Sequence, residues 1–261
     1  MFEAKVQNGN ILRRAIDLAK DFVSEANLDC GDNGISLTAM DSRHVTLVEF
    51  SLDRKGFENY RCDRNVSLGV NLGNLSKILK CAEQNDSIQL SADENGDKVR
   101  IAFANPDQSR TSNYTLNLMQ LDLDLMAIDS KTFDATITLS ASEFKKVCTD
   151  LASLGESVAI SVDAEELVFT TDGEIGSGSV CLKKNEPGEK DQMPTTIECQ
   201  KGKKIKQAFS LNYLAKFAKG TPFSDAVFLG IKEGAPIMVA YEQKDVGYVR
   251  FFLTPKYDED E

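Results

Sequence analysis

Short segments in which apolar and polar residues alternate recur along the chain, and this pattern predicts β-strands. A period of two places every second side chain on the same face of a sheet, so one face can be buried while the other meets solvent. The clearest such segments are 35–38, 66–68, 87–90, 99–103 and 158–162. Dipeptides that favour tight turns lie between them at Asn33-Gly34, Asn95-Gly96 and Asp172-Gly173.

A second kind of segment has apolar residues at the spacing of an amphipathic helix. These helical segments are 10–23, 72–81, 140–154 and 210–219. Asn10 and Ser142 are candidate N-caps, because their side chains can accept hydrogen bonds from free backbone N–H groups. The two patterns together predict an α+β protein with four helices.

One helical pattern occurs twice. Segment 72–80 recurs 139 positions later with two leucines and both lysines in the same places. In each copy the leucines share one side of the helical wheel. The paired lysines, Lys77 and Lys80 or Lys216 and Lys219, lie on the opposite side. Each copy therefore predicts a helix that buries an apolar face and presents two cations.

The repeat extends over most of the chain. Three further segments, starting at residues 12, 35 and 86, recur in the same order 132 or 139 positions later. The change in offset falls in 183–191, a polar segment with Pro187 and Gly188 that we interpret as a surface loop. Two copies of one unit explain these matches. We predict an N-terminal domain, a connecting loop, a C-terminal domain and an acidic tail over 1–118, 119–131, 132–257 and 258–261.

Composition limits the possible classes of protein. No stretch approaches the roughly 20 apolar residues of a membrane span, and the opening residues lack the apolar region of a signal peptide. Six cysteines without a Cys-x-x-Cys pair favour reduced thiols in an intracellular protein over disulfides or zinc. His44 is the only histidine, and no phosphate loop, metal-ligand cluster or activated nucleophile is recognisable. We therefore predict no enzymatic activity, catalytic residue, metal or cofactor.

Positive charge is concentrated on the helical segments. Three of the four carry a net positive charge, although the whole chain has a net charge of −11. Exposed lysines on a single helix are commonly only solubilising, but this segregation favours a polyanion held on one face and repelled elsewhere. Lys and Arg without arrayed Asn or Gln side chains indicate contacts to phosphate and not to bases. In an acidic chain such contacts would be weak, so a closed ring lined by basic helices would suit duplex DNA.

Several specific motifs now support a resemblance. Over essentially its whole length the chain resembles the proliferating cell nuclear antigen family, the eukaryotic sliding clamps. The motifs that carry the resemblance are Met1-Phe2-Glu3-Ala4, Met40-Asp41-Ser42-Arg43-His44-Val45, Tyr60-Arg61-Cys62-Asp63-Arg64-Asn65, Ser76-Lys77-Ile78-Leu79-Lys80-Cys81 and Leu253-Thr254-Pro255-Lys256.

The resemblance implies the DNA clamp fold and a homotrimeric ring around duplex DNA. It implies a nuclear processivity factor that tethers DNA polymerases and other replication and repair proteins, and that an ATP-dependent clamp loader opens. The alternative is a subunit of a heterotrimeric checkpoint-type clamp with the same fold and other partners. The close motif matches weigh against that alternative.

The resemblance also assigns residues to three surfaces. The residues expected to face DNA are Arg13, Arg14, Lys20, Lys77, Lys80, Lys146, Lys216 and Lys219. The expected pocket for short hydrophobic or aromatic peptide motifs of partners comprises Met40, His44, Leu47, Met126, Ile128, Pro236, Phe252 and Pro255. The strand edges expected to meet between subunits contain Arg110, Tyr114, Ser177 and Gly178.

The connecting loop has an unusual composition that supports a peptide site without the resemblance. Residues 121–128 alternate apolar side chains with acidic or small ones. Two interpretations stay open: a linker held on the sheet by its leucines, or part of an exposed apolar groove for a short peptide. Met40 and Met126 would let such a groove adapt to several partners.

The chain also departs from the family pattern. Ala164 stands where relatives carry a ubiquitin-acceptor lysine, and Thr149 and Ser153 stand where relatives often carry basic side chains. Phe252 replaces a tyrosine of the pocket. The basic run 201–206 is unusual for the family and is interpreted as a solvated hairpin, with a partner contact or nuclear import as the alternatives.

Overall fold

A computed structural model describes residues 1–7, 9–93, 96–122, 132–185, 193–199 and 202–256. The chain forms two compact units, Met1–Ala127 with Gln243–Val249 and Ile128–Glu242 with Arg250–Glu261. Most of the predicted connecting loop and the whole predicted acidic tail lie outside the described residues. The domain boundaries given above therefore stay a prediction.

The first unit contains two helices and nine strands among its described residues. Its elements are β1 Phe2–Val6, α1 Asn10–Ala19, β2 Glu25–Gly31, β3 Gly34–Met40, β4 Thr46–Asp53, β5 Asn59–Cys62, β6 Val66–Asn71, α2 Leu72–Leu79, β7 Ser87–Ala92, β8 Lys98–Ala104 and β9 Thr111–Asn117. The paired strands follow the orders β5-β1-β7-β8-β9 and β4-β3-β2-β6, and the described pairings are antiparallel.

The second unit repeats this order of elements. Its elements are β10 Ala135–Ser140, α3 Ala141–Ala152, β11 Ser157–Val162, β12 Glu166–Gly173, β13 Gly176–Lys183, β14 Thr196–Cys199, β15 Ile205–Ser210, α4 Leu211–Phe217, β16 Ala226–Ile231, β17 Ile237–Gln243 and β18 Gly247–Leu253. The strand orders are β14-β10-β16-β17-β18 and β13-β12-β11-β15. The predicted duplication and the α+β fold class are therefore confirmed.

Alternation of burial along the strands explains why these segments pair as sheets. In β1, β7, β10 and β11 every second side chain is buried, as the sequence pattern predicts. The helices pack in pairs, α1 against α2 and α3 against α4, with their apolar sides turned inward. Within the second unit Phe217 of α4 stacks on Phe251 with ring centroids 4.5 Å apart. This packing holds the polar side of each helix outward.

The helices are shorter than predicted, and their caps differ. They end at Ala19, Leu79, Ala152 and Phe217, and Lys20 and Lys80 are the C-caps of α1 and α2. The predicted caps are wrong. Asn10 is the first residue of α1 after Gly9, and Ser142 lies inside α3, because β10 leads directly into that helix at Ser140. Asn71 is the residue that caps a helix, since its Oδ1 accepts a hydrogen bond from the Asn74 backbone N at 3.0 Å.

Two predicted turns are displaced. The turn predicted at Asp172-Gly173 lies at residues 174–175, because Gly173 still pairs with Gly176. The turn predicted at Asn33-Gly34 is displaced by one residue. Gly31 pairs with Gly34, so Asp32 and Asn33 form the loop between β2 and β3. Gly34 has a φ of +133°, and a Cβ at this position would lie 2.0 Å from the backbone O of Leu52. Only glycine fits this backbone conformation and this close approach.

Strand β9 in the first unit and strand β13 in the second each lie at the end of a sheet, as β5, β6, β14 and β15 also do. In β9 and β13 exposed and half-buried side chains alternate, and no side chain is fully buried. Each strand therefore offers one row of backbone groups for pairing with another chain.

Candidate nucleic-acid interface and partner surfaces

The first helix pair presents a basic surface. Arg14, Lys77 and Lys80 are exposed, whereas Arg13 and Lys20 are half-buried. The helices adopt this orientation because Leu12 and Ile16 of α1 and Leu72, Leu75 and Leu79 of α2 are buried. The five predicted DNA-facing residues of the first unit therefore lie on two adjoining helices.

A carboxylate lies within this basic surface. Lys20 Nζ donates a hydrogen bond to Asp17 Oδ1 and another, of 2.9 Å, to Ser76 Oγ. Ser76 Oγ donates to the same carboxylate oxygen at 2.7 Å, and Arg13 Nε lies 4.0 Å from Asp17 Oδ2. Burial favours the neutral form of Asp17, but these hydrogen bonds and the charges of Lys20 and Lys80 outweigh it and lower the pKa of the carboxyl. Asp17 is therefore ionised at neutral pH and joins α1 to α2.

The second helix pair presents its own basic surface. Lys146 of α3 and Lys216 of α4 are exposed, and Lys219 is exposed in the 3₁₀ turn that follows α4. Lys216 Nζ lies 5.8 Å from the centre of the Tyr213 ring, within the range of a cation–π contact. Lys145 of α3 is exposed as well. The second unit thus brings three predicted DNA-facing residues together and adds a fourth cation.

Family models match both halves of the chain. The model for the proliferating cell nuclear antigen N-terminal domain matches residues 1–127. The model for the proliferating cell nuclear antigen C-terminal domain matches residues 127–256. The chain belongs to the proliferating cell nuclear antigen family. It is a DNA sliding clamp of the α+β clamp fold, and clamps of this family are non-enzymatic scaffolds in DNA replication and repair.

Part of the predicted peptide pocket is a rigid hairpin between β3 and β4. Asp41 Oδ1 accepts hydrogen bonds from the backbone N atoms of Val45 and Thr46 at 2.8 and 2.9 Å. His44 has a φ of +56°, and its Nδ1 lies 3.2 Å from Met40 Sδ. Leu47 pairs with Met40 across the two strands, and its side chain is buried in the core. Met40 and His44 are therefore the accessible predicted pocket residues of the first unit.

The other predicted pocket residues are distributed differently. Pro236 and Pro255 are half-buried in the second unit, whereas the side chain of Phe252 is buried. Met126 and Ile128 lie outside the described residues. Clamp-family membership implies partners that act on DNA, and the assignment of peptide contacts to these positions stays a prediction.

The predicted interface residues lie on or next to the edge strands β9 and β13. Tyr114 projects from β9 onto Phe103, with ring centroids 5.3 Å apart. Ser177 and Gly178 lie on β13, where a Cβ at Gly178 would meet Leu154 Cδ1 at 2.7 Å. Arg110 precedes β9 and is already engaged within the unit by Glu83 and Asp86. The backbone groups of β9 and β13 are therefore better placed than the Arg110 side chain to pair with another chain.

Metal ions, membranes and thiol chemistry concern the remaining features of the described residues. They contain no group of three or more His, Cys, Asp or Glu side chains able to hold a metal ion. None of the helices in the described part of the chain is long and apolar enough to cross a membrane. Burial raises the pKa of the Cys30 thiol and raises that of Cys148 to about 12, so neither thiol is a ready nucleophile at neutral pH.

Sequence reasoning did not identify Asp17, Ser76 and Lys145 as members of the two basic helix surfaces. Lys145 adjoins Lys146 and corresponds to Arg13 in the repeat, so the repeat alone could have identified it. The three-residue spacing of Asp17 and Lys20 is a signal for an ion pair on one helix face. Nothing in the sequence pairs Ser76 with them, because that contact joins residues of two helices.

Proposed function

We propose that the chain forms a homotrimeric ring that encircles duplex DNA and tethers DNA polymerases and other replication and repair factors as a processivity factor. The observation that carries this proposal is the repeated basic helix pair. Two units of one acidic chain each expose lysines at matching positions of matching helices. Cations restricted in this way suit a polyanion that is surrounded by the protein.

Ring closure is supported by the free edges β9 and β13. Within the first unit, residues Gln243–Val249 lie beside β4, since the Asp53 backbone N donates to the Val246 O at 2.8 Å and Tyr248 Oη donates to Glu49 at 2.8 Å. This segment contains the start of β18. In the repeat β9 is the counterpart of β18, and β13 is the counterpart of β4. By analogy, β9 of one copy would pair with β13 of the next, which removes exposed edges by closure.

Contacts to DNA would be weak and independent of sequence. The cations exposed on the helix surfaces are ammonium and guanidinium groups, which bind phosphate and carry no base code. The net charge of −11 opposes tight binding. A closed ring would retain DNA by topology, while the weak contacts allow sliding.

Partners would be recognised at the β3–β4 hairpin. Met40 combines an accessible apolar side chain with a hairpin that Asp41 holds rigid. Such a surface suits short peptides with hydrophobic or aromatic anchors. Action on chromosomal DNA places the proposed site of function in the nucleus.

Solution mass tests the proposed assembly. Light scattering of the purified chain should give a mass near three times 28.7 kDa. A stable monomer at micromolar concentration would contradict the homotrimer. It would favour the alternative, a subunit that closes a ring only with two different chains.

A further inference from the structure

The basic surface of the first helix pair contains an internal carboxylate, Asp17, which contacts the cations around it. Asp17 contacts Lys20 and lies 4.0 Å from Arg13, and the charge of Lys80 also lowers its pKa. Three of the five predicted DNA-facing residues of the first unit therefore interact with a single carboxylate. Phosphate would have to compete with that carboxylate for them.

Lys20 is the cation most strongly held. Its ammonium has three donors, and Asp17 and Ser76 accept two of them. Its side chain is only 23% exposed, whereas Lys77 and Lys80 are among the exposed residues. The ion pair is partly sheltered from solvent, so screening weakens it less than a fully exposed pair. Lys20 thus reaches a phosphate only by sharing or leaving Asp17.

The repeat provides an internal comparison. At the positions that correspond to Asp17, Lys20 and Ser76, the second unit has Thr149, Ala152 and Ala215. Ala152 and Ala215 have no polar side-chain group, and Thr149 has a hydroxyl in place of the carboxylate, donating to the Lys145 backbone O at 2.8 Å. The flanking lysines are present. The three side chains therefore occur as a set in one unit and are replaced as a set in the other.

We propose that Asp17 is a positioning residue that attenuates the DNA surface: it holds Lys20 against α2 and competes with DNA phosphate for its ammonium. This inference rests on the proposed function. Asp17 weakens the phosphate contacts of the first helix pair, so that the ring can slide along DNA. The alternative is a purely structural link between α1 and α2.

Charge removal distinguishes these two roles. Asp17→Asn preserves the shape of the side chain and one acceptor oxygen, and it removes the charge. Binding is measured with a short fluorescent duplex by anisotropy over a range of salt concentrations. We expect Asp17→Asn to tighten binding about threefold to tenfold at low salt and to steepen the salt dependence by about one phosphate contact. Asp17→Glu restores the charge and should bind DNA close to wild type.

The matched control is Asp97→Asn, which makes the same charge change at an exposed position beside β8 in the same unit. A double-mutant cycle measures whether the effect of Asp17→Asn on DNA affinity depends on Lys20. A purely structural link between the helices predicts no such dependence. In a Lys20→Ala background most of the gain from Asp17→Asn should disappear, because the cation it releases is gone. Ser76→Ala is a second test, expected to tighten binding less but in the same direction.

The outcomes separate this inference from the proposed function. Wild-type protein that does not bind duplex DNA at any salt concentration would overturn this inference, and a stable monomer besides would overturn the proposed function as well. DNA binding that Lys77→Ala/Lys80→Ala weakens, but that neither Asp17→Asn nor Ser76→Ala tightens beyond Asp97→Asn, would overturn this inference alone. An undiminished gain in the Lys20→Ala background would also overturn it, since the effect would then be one of net charge.

Discussion

Arg110 Nη2 lies 3.1 Å from Asp86 Oδ2, and the Asp86 side chain is only 3% exposed. The same carboxylate accepts a hydrogen bond from the Glu83 backbone N at 2.9 Å. Arg110 thereby joins the start of β9 to the segment that follows α2. A residue assigned by resemblance to a subunit edge has a role inside its own unit.

Removal of the Asp86 carboxylate should destabilise the fold. Asp86→Ala leaves the Glu83 N–H and the Arg110 guanidinium without this acceptor, which costs about 1–3 kcal/mol of unfolding free energy. The measurement is equilibrium urea unfolding at neutral pH. Asp93→Ala is the control, because Asp93 pairs with Arg100 in solvent and such a pair contributes only about 0–1 kcal/mol. Equal losses for the two variants would contradict the assignment.

The double variant Lys77→Ala/Lys80→Ala should weaken DNA binding without affecting assembly. Each lost phosphate contact makes the negative slope of log K against log salt less steep by about 0.9. Anisotropy with a labelled duplex measures the affinity, and light scattering measures the mass. Lys55→Ala/Lys98→Ala removes two exposed lysines away from the helices and serves as control. Loss of assembly in the first variant would mean that its lysines are structural.

Met40→Glu should weaken peptide binding. A charge at this position replaces apolar contact area next to His44, and the expected loss is about tenfold in affinity for a labelled peptide with hydrophobic and aromatic anchors. Fluorescence anisotropy measures that affinity, and the affinity for duplex DNA should not change. Met193→Glu makes the same change at an exposed methionine of the second unit. Peptide affinity equal in both variants would place the site elsewhere.

The stability of the second unit should depend on Asp134 in a defined pH range. Hydrogen bonds from the Glu233 backbone N and from Lys203 lower the pKa of Asp134. A lowered folded-state pKa gives stability that is present above the unfolded pKa of about 4 and is lost as pH falls through the folded value. Asp134→Asn should therefore be less stable than wild type at pH 7, and this difference should shrink on acidification.

Urea unfolding at several pH values from 7 to 3 tests this dependence. The matched control is Asp225→Asn. The described hydrogen bond of Asp225 is made by its backbone O, which the substitution leaves in place. The prediction would be contradicted if the difference in unfolding free energy between wild type and Asp134→Asn grew as the pH fell. The same ion pair shows that Lys203, in the predicted basic hairpin, interacts within its own unit.

Much of the fold follows from local patterns. Alternation predicted β3, β6, β7, β8 and β11, and helical spacing predicted all four helices, because burial on one face imposes these periods. The repeat predicted the common order of elements in the two units. Helix ends and caps were less predictable, since Ser142 and Asn10 could each cap a helix and only the path of the preceding chain selects the residue that does.

The sequence by itself determined two related units with helices that bury leucines and expose lysines, because periodicity and duplication are local properties. Only the tertiary structure decided what surrounds each charge. Ser76 reaches Asp17 across 59 positions of sequence, and Arg110 reaches Asp86 across 24. Such contacts depend on how α1 packs on α2 and how the chain returns to β9. The lysine pattern therefore identifies a basic surface, and the packing places within it the carboxylate that modifies its charge.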